Sequence, residues 1–176
     1  MRTPFWLGLA TSLLLLQSAA IPARAQTQRQ ETGKPEIGSL VPELVLPDGQ
    51  GAPQSLRAAR GKVVYLDFWA SWCAPCKQSF PWMDSLHQRY GPQGLVILAV
   101  NLDQERDAAE RFLTKTPVSF TRLYDPKGET ARLFGVSAMP HSFLIDRGGQ
   151  VRAVHRGFRP SDAEALEADI RKALAG

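Results

Sequence analysis

The chain of 176 residues, 44% hydrophobic and 22% charged, has the size of one globular domain and enough apolar content for a core, since domains hold roughly 100 to 200 residues. Its 14 Gly and 13 Pro are spread without a repeat or a low-complexity tract, which removes the compositional basis for collagen-like, solenoid or disordered readings. The formal charge of +4 becomes +2, from 19 Lys and Arg against 17 Asp and Glu, once Arg2 and Arg24 leave with a leader; there is no Lys/Arg run, so no nucleic-acid partner is expected.

Residues 1–25 read as an export signal. Arg2 gives a positive start, Phe5 to Leu16 an apolar run, and Ala23-Arg24-Ala25 the small residues of a cleavage site. The alternative is an uncleaved anchor in the inner membrane with the rest facing the periplasm, although Gln17 and Ser18 interrupt the run before the roughly 20 apolar residues a span needs. Residues 26–36 are polar and form a flexible leader, and 37–176 form the working domain, in a compartment that permits disulfides.

Leu44 to Leu46 and Ser55-Leu56, around the turn Asp48 to Gly51, predict an N-terminal hairpin. Val63 to Phe68 is a nearly continuous apolar run, the pattern of a central strand buried on both faces, with Asp67 as its exception. A helix is predicted over Ala74 to Tyr90, with Phe80, Met83, His87 and Tyr90 at helical spacing, then a strand over Leu95 to Val100. Glu105 to Lys115 reads as a helix with Ala108, Phe112 and Leu113 on one side, Phe120 to Tyr124 as a short strand, and Gly128 to Phe134 as a brief helix. Ser142 to Ile145 and Val151 to His155 flank a glycine-containing turn and predict an antiparallel hairpin. The last helix carries Ser161 and Glu164 in capping-box spacing, with Leu166, Ile170 and Leu174 on one face. The order predicts an α/β domain, a mixed sheet with helices on both sides.

The chemistry concentrates in Trp72-Cys73-Ala74-Pro75-Cys76, which holds both cysteines of the chain. At a strand-to-helix junction the pair can close a small disulfide, and the helix N-terminus favours the thiolate of Cys73, the attacking form in disulfide exchange. Cys76, one turn further in, is placed to resolve a mixed disulfide. A purely structural staple is the weaker reading, because so short a loop constrains little unfolded-state entropy. A structural zinc site usually takes four ligands, and His87, His141 and His155 lack the spacing to complete one. No metal and no cofactor is expected.

The run Asp67 to Lys77, with Pro81 five residues past the second cysteine, resembles the active-site segment of the thioredoxin superfamily. The N-terminal hairpin, the βα insertion between Val100 and Tyr124 and the segment Phe134 to Asp146 resemble its exported TlpA/ResA-like branch, over residues 37 to 175. The resemblance implies a thioredoxin-like fold, a thiol-disulfide oxidoreductase activity, Pro140 as the cis-proline opposite the sulfurs, and Met139 as backbone for a substrate strand to pair with. It also implies the reductive direction, a membrane thiol carrier as electron donor, and substrates such as apocytochrome c or copper-site proteins in cytochrome c biogenesis. Two positions depart from the branch: Ser79 stands where a Glu is frequent, and Asp67 where an Asn is frequent. Asp67 matches the buried aspartate of thioredoxin, which implies a proton-exchanging role for the inner cysteine, and burial should raise its pKa. The other reading is a carboxylate satisfied by backbone or by Lys77.

Trp69 and Trp72 either shape a docking surface or belong to the core. Lys77 either lowers the Cys73 pKa or is solvated; His141 either modulates the pair, binds copper with Met139 and the cysteines, or does neither. Within the same fold, an oxidase or isomerase runs the exchange the other way, and a copper-binding module uses the thiols as ligands. A peroxidase would need a proline-containing motif that Asp67 to Cys73 lacks. A monomer is the default expectation.

Overall fold

A computed structural model describes residues 34–176. The segment read as an export signal and residues 26–33 of the leader lie outside the described residues.

Leu44 accepts the backbone N–H of Leu56 at the open end of a small hairpin, in which β1 (Val45–Pro47) pairs antiparallel with β2 (Pro53–Ser55). Asp48 closes its turn by accepting the backbone N–H groups of Gln50 and Ala52.

The main sheet is centred on β3 (Val63–Trp69), every residue of which is buried. It pairs in parallel with β4 (Leu95–Asn101), which pairs in parallel with β5 (Thr121–Tyr124). On its other side β3 pairs antiparallel with β6 (His141–Ile145), and β6 with β7 (Val151–Arg156), giving the order β5-β4-β3-β6-β7. Strands buried on both faces read as nearly unbroken apolar runs, whereas the outer β7 is buried only at Val151 and is half-buried or exposed beyond it.

Among the described residues four α-helices flank the sheet: α1 (Ala74–Tyr90), α2 (Arg106–Lys115), α3 (Glu129–Leu133) and α4 (Ala163–Ala175). Successive strand residues point to opposite faces, and two cores result. Val63, Tyr65 and Trp69 of β3 join Phe80, Met83 and Leu86 of α1, Ala109 and Phe112 of α2 and Ile170 of α4. Val64, Leu66 and Phe68 join Val41, Leu44, Leu56, Ala131, Phe134 and Phe143 on the other face. The α/β class, the mixed sheet between helices and the N-terminal hairpin stand as expected.

Three expectations are corrected. In α1 it is Leu86 that is buried with Phe80 and Met83, while His87 and Tyr90 lie at the margin; the buried stripe turns slightly from the one the spacing suggested. In α2 Ala109, not Ala108, is buried. The Ser161/Glu164 capping box does not form: Pro160–Asp162 is a 3-10 turn, the Ser161 hydroxyl bonds the Asp162 carboxylate, and α4 begins at Ala163 with no side-chain cap. The added turn makes Asp162 the N-cap and starts α4 two residues after Ser161, so the Ser161 side chain does not cap the orphan N–H groups.

Candidate active site

β3 ends at Trp69, and a short loop leads to Cys73, the N-cap residue of α1. Its Sγ accepts the backbone N–H of Cys76 at 3.2 Å, so the sulfur occupies the place where a helix presents unpaired donors and partial positive charge. Cys73 and Cys76 form a disulfide with a Cα–Cα distance of 5.3 Å. The Cys73 residue is 4% exposed and Cys76 fully buried, the order expected for an outer and an inner cysteine. Pro75 lies in the first turn of α1, where its missing N–H costs nothing, and Pro81 lies inside the helix.

The loop is held from below by a bracket that the sequence reading missed. Asp103, just beyond the end of β4, accepts the Ser71 backbone N–H at 2.9 Å through Oδ2 and the Ser71 hydroxyl at 3.0 Å through Oδ1. Asn101 donates its amide to Asp103 Oδ2 at 2.7 Å and accepts the Asp103 N–H at 3.1 Å. All of these groups are buried or half-buried, so the bracket ties the residue two before Cys73 to the adjacent strand end with charge-assisted bonds.

Asp67 shares its sheet face with Tyr65 and Trp69, the face that meets Cys73, Cys76 and α1. It is 1% exposed. Opposite it across the β3–β6 ladder stands Ser142, whose hydroxyl donates to Asp67 Oδ1 at 2.6 Å, while Oδ2 is buried without a partner. Burial raises the Asp67 pKa to about 7, and the Ser142 hydrogen bond opposes part of that rise. Burial and the neighbouring Asp67 charge push the Tyr65 phenol up in turn. Neither satisfying partner considered from the sequence is used: Lys77 is exposed and makes no bond to Asp67. Ser142 is visible in the sequence only as a polar residue in an apolar strand; its pairing with Asp67 depends on register.

Ser79, where the branch has a frequent Glu, is buried and donates its hydroxyl to the Cys76 carbonyl at 3.1 Å. The Met139–Pro140 peptide is cis. Because Phe68 faces His141 in the ladder, Pro140 comes abreast of Trp69, at the strand end from which the cysteine loop departs. Pro140 is buried and Met139 half-buried against the α1-side core. The two tryptophans separate: Trp69 is a core residue packed on Phe80 and Phe112, with ring centroids at 4.6 and 5.0 Å, whereas Trp72 is 70% exposed beside Cys73. His141 faces the other core, stacked on Phe143, with its pKa lowered by burial and then by Arg156.

A strand-loop-helix disulfide over a buried acid, with a cis-proline beside it, defines a thioredoxin-like thiol-disulfide oxidoreductase. Residues 36–173 match the Redoxin family. The chain is 34% identical to the thiol-disulfide oxidoreductase ResA of Geobacillus thermodenitrificans over 82% of this chain and 83% of that one. To ResA of Bacillus subtilis it is 36% identical over 71% of each. Among solved structures, a protein of Chlorobium tepidum provisionally named thiol:disulfide interchange protein DsbE is 50% identical, with a TM-score of 0.78 over 80% of this chain and 99% of its own. StoA of Bacillus subtilis superposes with a TM-score of 0.63 at 26% identity, over 75% and 99%. The chain belongs to the Redoxin family, as a TlpA/ResA-like member of the thioredoxin superfamily.

Proposed function

We propose that the protein reduces disulfides of partner proteins in the periplasm, with Cys73, Cys76 and Asp67 catalytic and Trp72, Met139 and Pro140 binding the substrate. The observation that carries this reading is Asp67: a buried carboxyl with a pKa of about 7 and one oxygen without a partner, on the sheet face that meets the inner cysteine. Such a group can take up and release a proton near neutral pH.

The reduced protein attacks through Cys73. Its thiolate bonds to one sulfur of the partner's disulfide, the partner's S–S bond breaks, and the second partner sulfur leaves with the electron pair and is protonated. The Asp67 carboxylate then accepts the Cys76 thiol proton. The Cys76 thiolate bonds to Cys73 Sγ, the mixed disulfide breaks, and the remaining partner sulfur leaves as a thiol. Two electrons have passed to the partner, and the Cys73–Cys76 disulfide remains. Exchange between sulfur atoms requires no cofactor.

The leader of residues 1–25 supports an extracytoplasmic location, whether cleaved or retained as an anchor. The reductive direction, apocytochrome c or copper-site proteins as substrates and a membrane thiol carrier as donor are what the resemblance to the TlpA/ResA-like branch implies, and a monomer is the default reading.

The direction is tested by the reduction potential of the Cys73/Cys76 pair, equilibrated in thiol-disulfide buffers. A midpoint near about −270 mV, as in thioredoxin, is expected; one near about −120 mV would make the protein a disulfide donor instead. The mechanism is tested by Cys76→Ser, which should leave Cys73 joined to its target as a stable mixed disulfide. A variant that captures nothing from the periplasm would contradict the exchange.

A further inference from the structure

Beside the disulfide loop lies an open cleft of about 290 Å³, walled by Ser71 and Lys77 on one side and by α2 on the other. Its α2 wall is the stripe Ala108, Arg111, Phe112 and Lys115, whose spacing of three, four and seven residues puts all four side chains on one helix face. The buried Phe112 and the half-buried Ala108 give it an apolar floor, and Lys77, Arg111 and Lys115 give it a cationic rim.

These three charges are not neutralised from within. Among the described residues none of them enters an ion pair or a side-chain hydrogen bond, whereas Arg57, Arg89, Arg106, Arg152, Arg159 and Arg171 each lie within 4.0 Å of a carboxylate. The acidic groups near the cleft are committed elsewhere or stand apart from it. Asp103 is occupied by Ser71 and Asn101. Glu110 accepts the Tyr124 hydroxyl and pairs with Arg106. Glu105 and Asp107 are exposed at the start of α2 and form no ion pair with the rim.

We infer that this cleft is a docking groove for an acidic stretch of polypeptide flanking the disulfide of the partner protein. The inference rests on the exchange reading above and names the substrate class of that same site. Two observations select the occupant. Ser71 is two residues before Cys73 and Lys77 directly follows Cys76, so a partner sulfur seated against Cys73 brings its own flanking residues over the cleft. Three convergent cations over an apolar floor match carboxylate side chains carried on an aliphatic stem, and the groove lies at the small end of the roughly 300 to 1,000 Å³ of ligand pockets, room for one or two side chains. Complementary charge at a docking site acts chiefly on the rate of encounter and on the choice of partner.

The test uses the reduced protein and three disulfide peptides of identical core, flanked by Glu, Gln or Lys, with the second-order rate followed by stopped flow. The protein should react about tenfold or more faster with the Glu-flanked peptide than with the Gln-flanked one at low ionic strength, and slowest with the Lys-flanked one. The advantage should shrink as salt is raised, since the charges are exposed and screened. In the double variant Arg111→Gln/Lys115→Gln the Glu-to-Gln rate ratio should fall toward one. Equal rates with Glu and Gln flanks, or a ratio that survives in the double variant, would overturn the docking groove and leave the exchange mechanism standing. Failure to reduce even the Gln-flanked peptide would bring down the exchange reading and the groove together.

Discussion

With its pKa near 7, Asp67 changes charge in the range where thiols exchange protons, and two substitutions separate its parts. In the unfolded chain an aspartate titrates near about 3.9. Between that value and about 7 the native protein holds a proton that the unfolded chain has lost, so the carboxyl's contribution to stability falls as pH rises through this window. Asp67→Asn should therefore be more stable than the parent at pH 8 and gain nothing near pH 4, as read from denaturant midpoints, while losing the ionisation near 7 from its pH–rate profile. An equal offset at both pH values would mean that the carboxyl does not titrate on folding. Ser142→Ala removes the one hydrogen bond that favours the charged form. It should move the pH–rate midpoint upward by about one unit, in line with the roughly 1.5–3 kcal/mol of a bond to a charged group. A downward or absent shift would show that the hydroxyl does not tune the acid. That Asp67 is buried and raised was legible in the sequence, because a lone acid in an apolar strand run has nowhere else to go. Its partner Ser142, 75 residues away, was not.

At the level of elements, the cysteine loop owes its position to β4 as much as to the helix it caps. Asp103→Ala should release both bonds to Ser71 and lower stability by about 1–3 kcal/mol, the cost of leaving buried polar groups unpaired. It should also slow attack by Cys73 through looser positioning of the loop. Thermal unfolding and single-turnover rates check the two effects, and a variant unchanged in both would remove the bracket from the mechanism. The span of α1 was readable from its apolar spacing and from the cysteine pair at its start, with Pro75 in the first turn. The start of α4 was not, since the capping-box pattern competes with a 3-10 turn begun by Pro160, and sequence spacing does not decide between them.

In the whole molecule, β3 serves two cores at once, and alternation along it keeps them chemically distinct. Phe143 belongs to the face away from the disulfide, against Phe68, Phe134 and His141. Phe143→Ala should cost about 3–5 kcal/mol yet leave the pH–rate midpoint of Asp67 in place, because the adjacent Ser142 points to the opposite face. A midpoint that moves with this substitution would show that the register between β3 and β6 depends on the far core.

The sequence alone determined the two cysteines at a strand-to-helix junction, the strands read as apolar runs, the helical spans and the α/β order. These properties are periodic or local, and local spacing writes them directly into the chain. The tertiary structure decided which residues meet: Ser142 with Asp67, Asp103 with Ser71, and Lys77 with Arg111 and Lys115 around one cleft. Each of these meetings joins elements more than 30 residues apart, and each depends on strand register and helix docking, which only the packing of the whole sheet sets.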